Sequence, residues 1–202
     1  MEKKVAILIS GRGSNMESLI NLSFKENLKI EFLVVSDNPE AEGLKKAEKL
    51  NVKTIVIKNL KKGWKMEREG EEELLKILKD FSPDLILLAG FMRIIPPNVI
   101  EKYYLKIVNI HPSLLPSFKG KDAQKQAFDY GVKVSGCTVH FIDMGVDTGP
   151  IIDQRCVDIS KAKSVEEVSN LILEKEHQLY FEVMKKLLFS KWKVENRNVY
   201  FY

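Results

Sequence analysis

Asn109-Ile110-His111-Pro112 closes an apolar run that begins at Lys106. Side chains two apart on a strand project to the same face, so Asn109 and His111 stand together, and Pro112 ends the ladder just beyond them. An amide donor beside an imidazole can hold a carbonyl oxygen as it becomes an oxyanion and can handle a proton nearby. A histidine satisfied by backbone at a strand end is the plainer alternative. A glycine-flanked loop, Asp143-Met144-Gly145-Val146-Asp147-Thr148-Gly149-Pro150, brings in a carboxylate. Asp147 could orient His111, raise its pKa, or take a proton through water.

His140, in Thr138-Val139-His140-Phe141, reads as a half-buried structural or supporting histidine. His111, His140 and His177 have no short ligand spacing, and neither Cys137 nor Cys156 pairs with them, so no metal is expected. The two cysteines read as reduced buried thiols.

A second kind of chemistry sits directly after the first apolar run, in Ser10-Gly11-Arg12-Gly13-Ser14-Asn15-Met16. Glycines at a strand-to-helix junction let backbone N–H groups approach an anion, and the helix N-terminus adds partial positive charge. Met16 stands where a dinucleotide fingerprint needs its third glycine, and no Gly-Lys-Ser/Thr follows for a triphosphate. With Ser14 and Asn15 read as N-capping side chains, the loop suits a monophosphate; a tight structural turn is the alternative. Near the C-terminus, Val168, Leu171, Ile172, Leu179, Val183 and Leu187 form one helical stripe, and Lys175 and Glu176 fall in its sector. A carboxylate there must pair with the lysine or serve a ligand hydroxyl.

The elements that position these residues follow from hydrophobic patterning. Val5–Ile9, Phe32–Val35, Thr54–Ile57 and Leu85–Leu88 are continuous apolar runs, separated by helical patterns at 16–22, 42–50 and 71–79. Uninterrupted apolar strands are covered on both faces, which points to a parallel sheet in an α/β fold. Beyond Pro96-Pro97, a strand at 106–110, a helix at 123–130 and strands at 137–142 and 150–159 follow, the last two paired antiparallel across the 144–150 turn. Ser164 with Glu167 signs the start of a long helix to about Leu188. The tail from Lys191 is expected to add a final edge strand. Lys61, Lys62 and Lys65 and the acidic run from Glu67 to Glu73 read as a solvated loop and helix face.

The chain has 202 residues and a net charge of +4 from 32 basic and 28 acidic side chains, spread without a basic block. That argues against a nucleic-acid partner and leaves small anionic ligands. With no linker, no leader-like segment and no membrane-length apolar run, one domain spanning 1–202 in the cytoplasm is expected.

Four ordered motifs, Gly11–Asn15, Ala89-Gly90-Phe91-Met92-Arg93-Ile94-Ile95, Asn109-Ile110-His111-Pro112-Ser113-Leu114-Leu115-Pro116 and Asp147-Thr148-Gly149-Pro150-Ile151-Ile152, resemble those of the glycinamide ribonucleotide formyltransferases. The resemblance runs from about residue 4 to residue 188. It implies a Rossmann-like, mostly parallel twisted sheet with helices on both faces and an antiparallel C-terminal portion. It further implies 10-formyltetrahydrofolate as co-substrate and glycinamide ribonucleotide as acceptor; a monomer or homodimer is expected, with no metal, nucleic acid or membrane. Residue by residue, it implies a catalytic set of Asn109, His111 and Asp147. Gly13, Ser14 and Asn15 would hold the acceptor phosphate and Glu176 its ribose. Met92, Arg93, Ile94 and Ile95, with Asn109 and the loop Asp143, Met144, Gly145, Val146 and Asp147, would hold the folate, largely through backbone groups. Arg68 is the nearest candidate for an arginine aiding donor or phosphate, His140 is a supporting candidate, and Leu173 departs from the polar residue that relatives often place there. Relatives acting on methionyl-tRNA carry an added C-terminal domain and formyltetrahydrofolate hydrolases an added N-terminal one; neither is expected here. The other readings are another folate-dependent formyltransferase, such a hydrolase, a nucleotide-binding regulator, and a nicotinamide-dependent oxidoreductase.

Overall fold

Val5 to Ile9 are all completely buried, as an uninterrupted apolar strand inside a two-sided core requires. The computed structural model describes residues 2–58, 60 and 63–202, so Lys61 and Lys62 of the basic cluster lie outside the described residues. The chain divides into two compact units, Met1–Val108 and Asn109–Tyr202.

In the first unit, β1 (Lys3–Ile9), β2 (Ile30–Ser36), β3 (Lys53–Val56) and β4 (Leu85–Leu88) lie in the order β3-β2-β1-β4. Every pair is parallel, β1 and β2 matching from Lys3↔Ile30 to Ile9↔Ser36, β1 and β4 from Val5↔Leu85. Winding runs outward from β1 through β2 to β3 and then returns to β4 on the other side of β1. The carboxyl ends of β1 and β4 therefore flank a topological switch point, where open α/β sheets take ligands. The glycine loop leaves β1 there, and the 89–95 segment leaves β4.

The intervening helices are α1 (Ser14–Lys25), α2 (Glu42–Lys49) and α3 (Arg68–Phe81). α1 buries Met16, Leu19, Ile20 and Ser23, an i, i+3, i+4, i+7 face. It starts two residues earlier than the apolar pattern implied, because polar Ser14 and Asn15 occupy its first turn. Its N-cap is Gly13, with no side-chain cap, so the expectation that Ser14 and Asn15 cap it is corrected. α4 (Pro97–Lys102) begins on a proline at its first position, where the missing N–H costs nothing.

The second unit takes over within β5 (Ile107–His111) and continues through α5 (Ala123–Tyr130), β6 (Val134–Phe141), β7 (Ile151–Asp158) and α6 (Val165–Phe189). Its sheet strands lie in the order β5-β6-β7, and β6 pairs antiparallel with β7 as the turn residues implied. A register shift falls between Val139 and His140, a local irregularity of the kind that re-aims a side chain. Ser164 caps α6 by accepting from the Glu167 N–H at 3.2 Å, and the Glu167 carboxylate reaches back to the Lys163 N–H at 2.7 Å.

Two expectations are overturned here. The tail does not extend the main sheet: β8 (Trp192–Glu195) and β9 (Asn198–Phe201) form their own antiparallel hairpin, turned at Asn196, whose φ is 57°. Leu171, placed on the buried stripe of α6, is exposed, while Val168, Ile172, Leu179 and Val183 are fully buried.

Candidate functional site

β5 delivers Asn109 and His111 to one side, as their spacing implied, and Thr138 and His140 stand two apart on β6 in the same manner. His140 is completely buried and His111 nearly so. Asp147 Oδ2 lies 3.4 Å from His111 Nδ1, and its Oδ1 lies 3.6 Å from His140 Nε2. Asn109 Nδ2 is 3.3 Å from the same His140 nitrogen. The three residues singled out for catalysis are thus one cluster, and His140 is part of it.

Backbone fixes the protons. His111 Nε2 meets the Phe118 carbonyl at 2.8 Å and His140 Nδ1 meets the Phe141 carbonyl at 2.9 Å. A carbonyl only accepts, so both ring nitrogens donate, and each neutral ring turns its other nitrogen, a lone pair, toward Asp147. Asn109 must then present its NH2 to His140 Nε2, which leaves its second amide hydrogen for a ligand. A carboxylate facing two imidazole lone pairs is a site built to share one proton. Burial pushes His111 below the ordinary histidine value, opposed by the Phe118 hydrogen bond and the Asp147 charge. Burial pushes Asp147 up, but a hydrogen bond from His140, the Gly120 N–H and the positive charge of the imidazoles, which act when the rings carry the shared proton, together outweigh it and hold the carboxyl below its ordinary value. Gly120 donates to Asp147 Oδ2 at 2.8 Å, and Asp147 itself sits at a φ of 52°, a left-handed conformation uncommon outside glycine.

The sequence did not mark the residues that hold this geometry. Thr138 Oγ1 donates to the Ser113 carbonyl at 2.7 Å and accepts from the Leu115 N–H at 3.0 Å and Gln154 Nε2 at 2.9 Å, using its full capacity. Ser113 Oγ donates to the Ser117 carbonyl at 2.6 Å. Together they fold the 112–120 segment so that Phe118 and Gly120 meet the cluster with backbone atoms. A threonine two residues before His140 was the available signal.

In the loop before Asp147, Asp143 Oδ1 accepts from the Gly145 N–H at 3.1 Å and Thr148 Oγ1 at 2.6 Å. Met144 and Val146 are exposed. Glu176 is buried on α6, and Lys175 and Leu173 are half-buried. Burial, reinforced by the charge of Glu176, pushes the Cys137 thiol up to about 12. Cys156, expected to be buried, is exposed.

The first unit carries the glycine loop. Gly13 has a φ of 69°, and a Cβ there would lie 2.7 Å from the Gly43 Cα; a Cβ on Gly43 would meet the Ile9 side chain at 2.5 Å. Those two glycines are explained by packing. Gly11 is not: it has ordinary φ and nothing within 4 Å of where its Cβ would be, so open space lies before the loop. Ser14 and Asn15 present the first turn of α1 beside it. In the 89–95 segment, the Met92 N–H donates to Ser10 Oγ at 2.8 Å and the Ile94 N–H to the Trp64 carbonyl at 2.9 Å. Arg93 is half-buried, its side chain bonded to Asp37 at 2.7 Å and to the Lys65 carbonyl at 3.0 Å. Met92 and Ile94 are exposed and Ile95 is buried. Arg68 stands in solvent, paired with Glu72 one turn along α3 at 2.8 Å.

Comparison with known proteins supplies the rest. The sequence profile described as formyl transferase matches residues 3–184. The chain belongs to this family. Phosphoribosylglycinamide formyltransferase of Bacillus subtilis is 40% identical over 187 residues, which cover 92% of this chain and 95% of that protein. The trifunctional purine biosynthetic protein adenosine-3 of Gallus gallus is 46% identical over 178 residues; these are 88% of this chain but 18% of that much longer protein. A crystal structure of phosphoribosylglycinamide formyltransferase from Anaplasma phagocytophilum superposes with a TM-score of 0.88 at 38% identity, covering 100% of this chain and 95% of that one. The parallel first portion and antiparallel later portion expected from the sequence are the fold of this family.

Proposed function

We propose that the chain transfers the formyl group of 10-formyltetrahydrofolate to the amine of glycinamide ribonucleotide, giving the formylated ribonucleotide and tetrahydrofolate in purine synthesis. The observation that carries this reading is the Asp147 carboxylate set between two imidazoles, with Asn109 oriented by one of them. The full-length match to the Bacillus subtilis enzyme supports the acceptor.

The acceptor's neutral amine attacks the formyl carbon. The spare amide hydrogen of Asn109 meets the oxyanion of the tetrahedral intermediate, where a placed donor acts with most effect. As the intermediate collapses, the bond from carbon to the folate nitrogen breaks and that nitrogen gains the proton the amine loses. His111 and Asp147, between them holding one proton, relay it. His111 becomes a second oxyanion donor only by releasing the Phe118 carbonyl. The first turn of α1 at Gly13, Ser14 and Asn15 holds the acceptor phosphate, and Glu176 accepts from its ribose hydroxyls. Met92 and Ile94 give the folate ring an apolar wall, with Arg93 held on Asp37 and Ile95 buried beneath. The loop from Asp143 to Asp147 contributes backbone. The chain acts as one formyltransferase domain in the cytoplasm, on small molecules, with no metal required.

The test incubates the purified chain with 10-formyltetrahydrofolate, with and without glycinamide ribonucleotide, and follows tetrahydrofolate by absorbance and the formylated product by mass. Acceptor-dependent turnover is expected. Formate release of equal rate without acceptor would make it a hydrolase instead.

A further inference from the structure

The family profile ends at residue 184, yet the C-terminal hairpin is fastened to the second unit at several points. Trp192 lies against the fully buried Phe141, ring centroids 5.4 Å apart, and its Nε1 donates to the Leu187 carbonyl at 3.0 Å. Lys186 Nζ sits 5.7 Å from the centre of the Phe201 ring. These contacts hold the β8–β9 turn in place, and the turn carries Arg197. Its Nη2 donates to the Thr148 carbonyl at 2.6 Å and to the Gly149 carbonyl at 3.3 Å.

Those two carbonyls immediately follow Asp147. The loop's own bonds lie at its start, where Asp143 gathers Gly145 and Thr148. Its end is closely constrained: a Cβ on Gly149 would meet the Phe141 carbonyl at 1.8 Å. Between these anchors Asp147 holds a left-handed conformation, with a φ of 52°. A guanidinium bridging two successive carbonyls fixes the peptide plane between them, which a single point charge does less well.

We infer that Arg197 is a positioning residue for catalysis, the C-terminal hairpin acting as a brace that holds the Asp147 loop in register with His111 and His140. This rests on the reading of Asp147 as a catalytic carboxylate. Arg197 touches no reacting atom; it acts through the backbone that aims the carboxylate and, in the same loop, faces the formyl donor.

The experiment measures kcat and the KM of each substrate for the full chain and for Arg197→Ala, Arg197→Lys, Lys193→Ala and Asp147→Asn, with melting temperature and the fraction of folded protein determined for each. Arg197→Ala should lower kcat about three- to tenfold and raise the KM for 10-formyltetrahydrofolate, as loss of a solvent-exposed charge-assisted hydrogen bond would, while the KM for glycinamide ribonucleotide stays at the parent value. Arg197→Lys should recover part of the loss. Lys193→Ala, on the same hairpin but bonded to Glu195, should match the parent. Parent kinetics for Arg197→Ala, or a fall explained wholly by unfolded protein, overturns the inference. If Arg197→Ala fails to fold, Arg197→Lys decides on the same split between the two KM values. Collapse of turnover in Asp147→Asn with parent kinetics at Arg197 refutes the brace alone, whereas near-parent turnover in Asp147→Asn refutes the reading beneath it.

Discussion

At the glycine loop of the first unit the proposed chemistry lies in the backbone: Gly13 is bent to a φ of 69° against Gly43, Gly11 faces open space, and the first turn of α1 would supply N–H groups. At Asn109, His111, His140 and Asp147 in the second unit it lies in side chains, four polar groups linked at 3.3 to 3.6 Å. The two regions therefore fail in opposite ways. A backbone site is damaged by adding atoms, and a side-chain network by removing or neutralising them.

The largest effect is expected in the network. His111→Ala removes the proposed proton relay and Asp147→Asn removes the charge between the two imidazoles; on that proposal each should cost roughly 10²-fold or more in kcat. Stopped-flow or steady-state formyl transfer measures this, and near-normal turnover in both variants would show that the cluster is structural. Because the groups act as a unit, the double variant should be little worse than either single one.

The glycine loop separates structure from binding when its two glycines are compared. Gly13→Ala forces a side chain into a left-handed conformation and into the Gly43 backbone, and should destabilise the fold by about 1–3 kcal/mol. Gly11→Ala meets no protein atom, so its melting temperature should stay at the parent value while the KM for glycinamide ribonucleotide rises. Unchanged KM in Gly11→Ala would mean that the loop is a tight turn and nothing more.

A smaller effect, in pH, also belongs to the network alone. Burial holds His111 below its ordinary value of 6.5, so beneath 6.5 the unfolded chain binds a proton that the folded chain refuses. Stability from the neutral ring is complete above that value and is lost as pH falls toward the folded one. Asp147, held below 3.8, adds a loss of the same sign at lower pH. Melting temperature followed from pH 7 to pH 5 should therefore decline, and His111→Gln should flatten the decline.

Much of this was legible in the sequence, for reasons the structure makes plain. Continuous apolar runs forced β1, β2 and β4 into a parallel sheet, and the two-residue period put Asn109 and His111 on one face. What escaped was information carried by tertiary hydrogen bonds. Nothing local marks the Phe118 carbonyl or the Gly120 N–H as partners, because their placement depends on Thr138 and Gln154, which are distant in sequence. The alternation at Lys193, Val194 and Glu195 says strand, but whether such a strand joins the main sheet or pairs with its own neighbour is decided by the turn at Asn196 and by Trp192 docking on Phe141. Cys156 reads as buried from its apolar neighbour Val157, yet it takes the outward face of β7.

Arg68 marks the lower end of the comparison. It was the nearest arginine by register to a donor- or phosphate-binding role, but its side chain is 87% exposed and bonded within its own helix to Glu72, which keeps its proton firmly bound. An ion pair one turn apart in solvent is screened by salt and offset by side-chain entropy, so Arg68→Ala should leave kcat, both KM values and the melting temperature within about twofold or a degree of the parent. A rise in either KM well beyond that would place Arg68 on a substrate and move part of the binding site from the backbone of the glycine loop to a long side chain. The contrast between a backbone site in the first unit and a side-chain site in the second would then no longer hold.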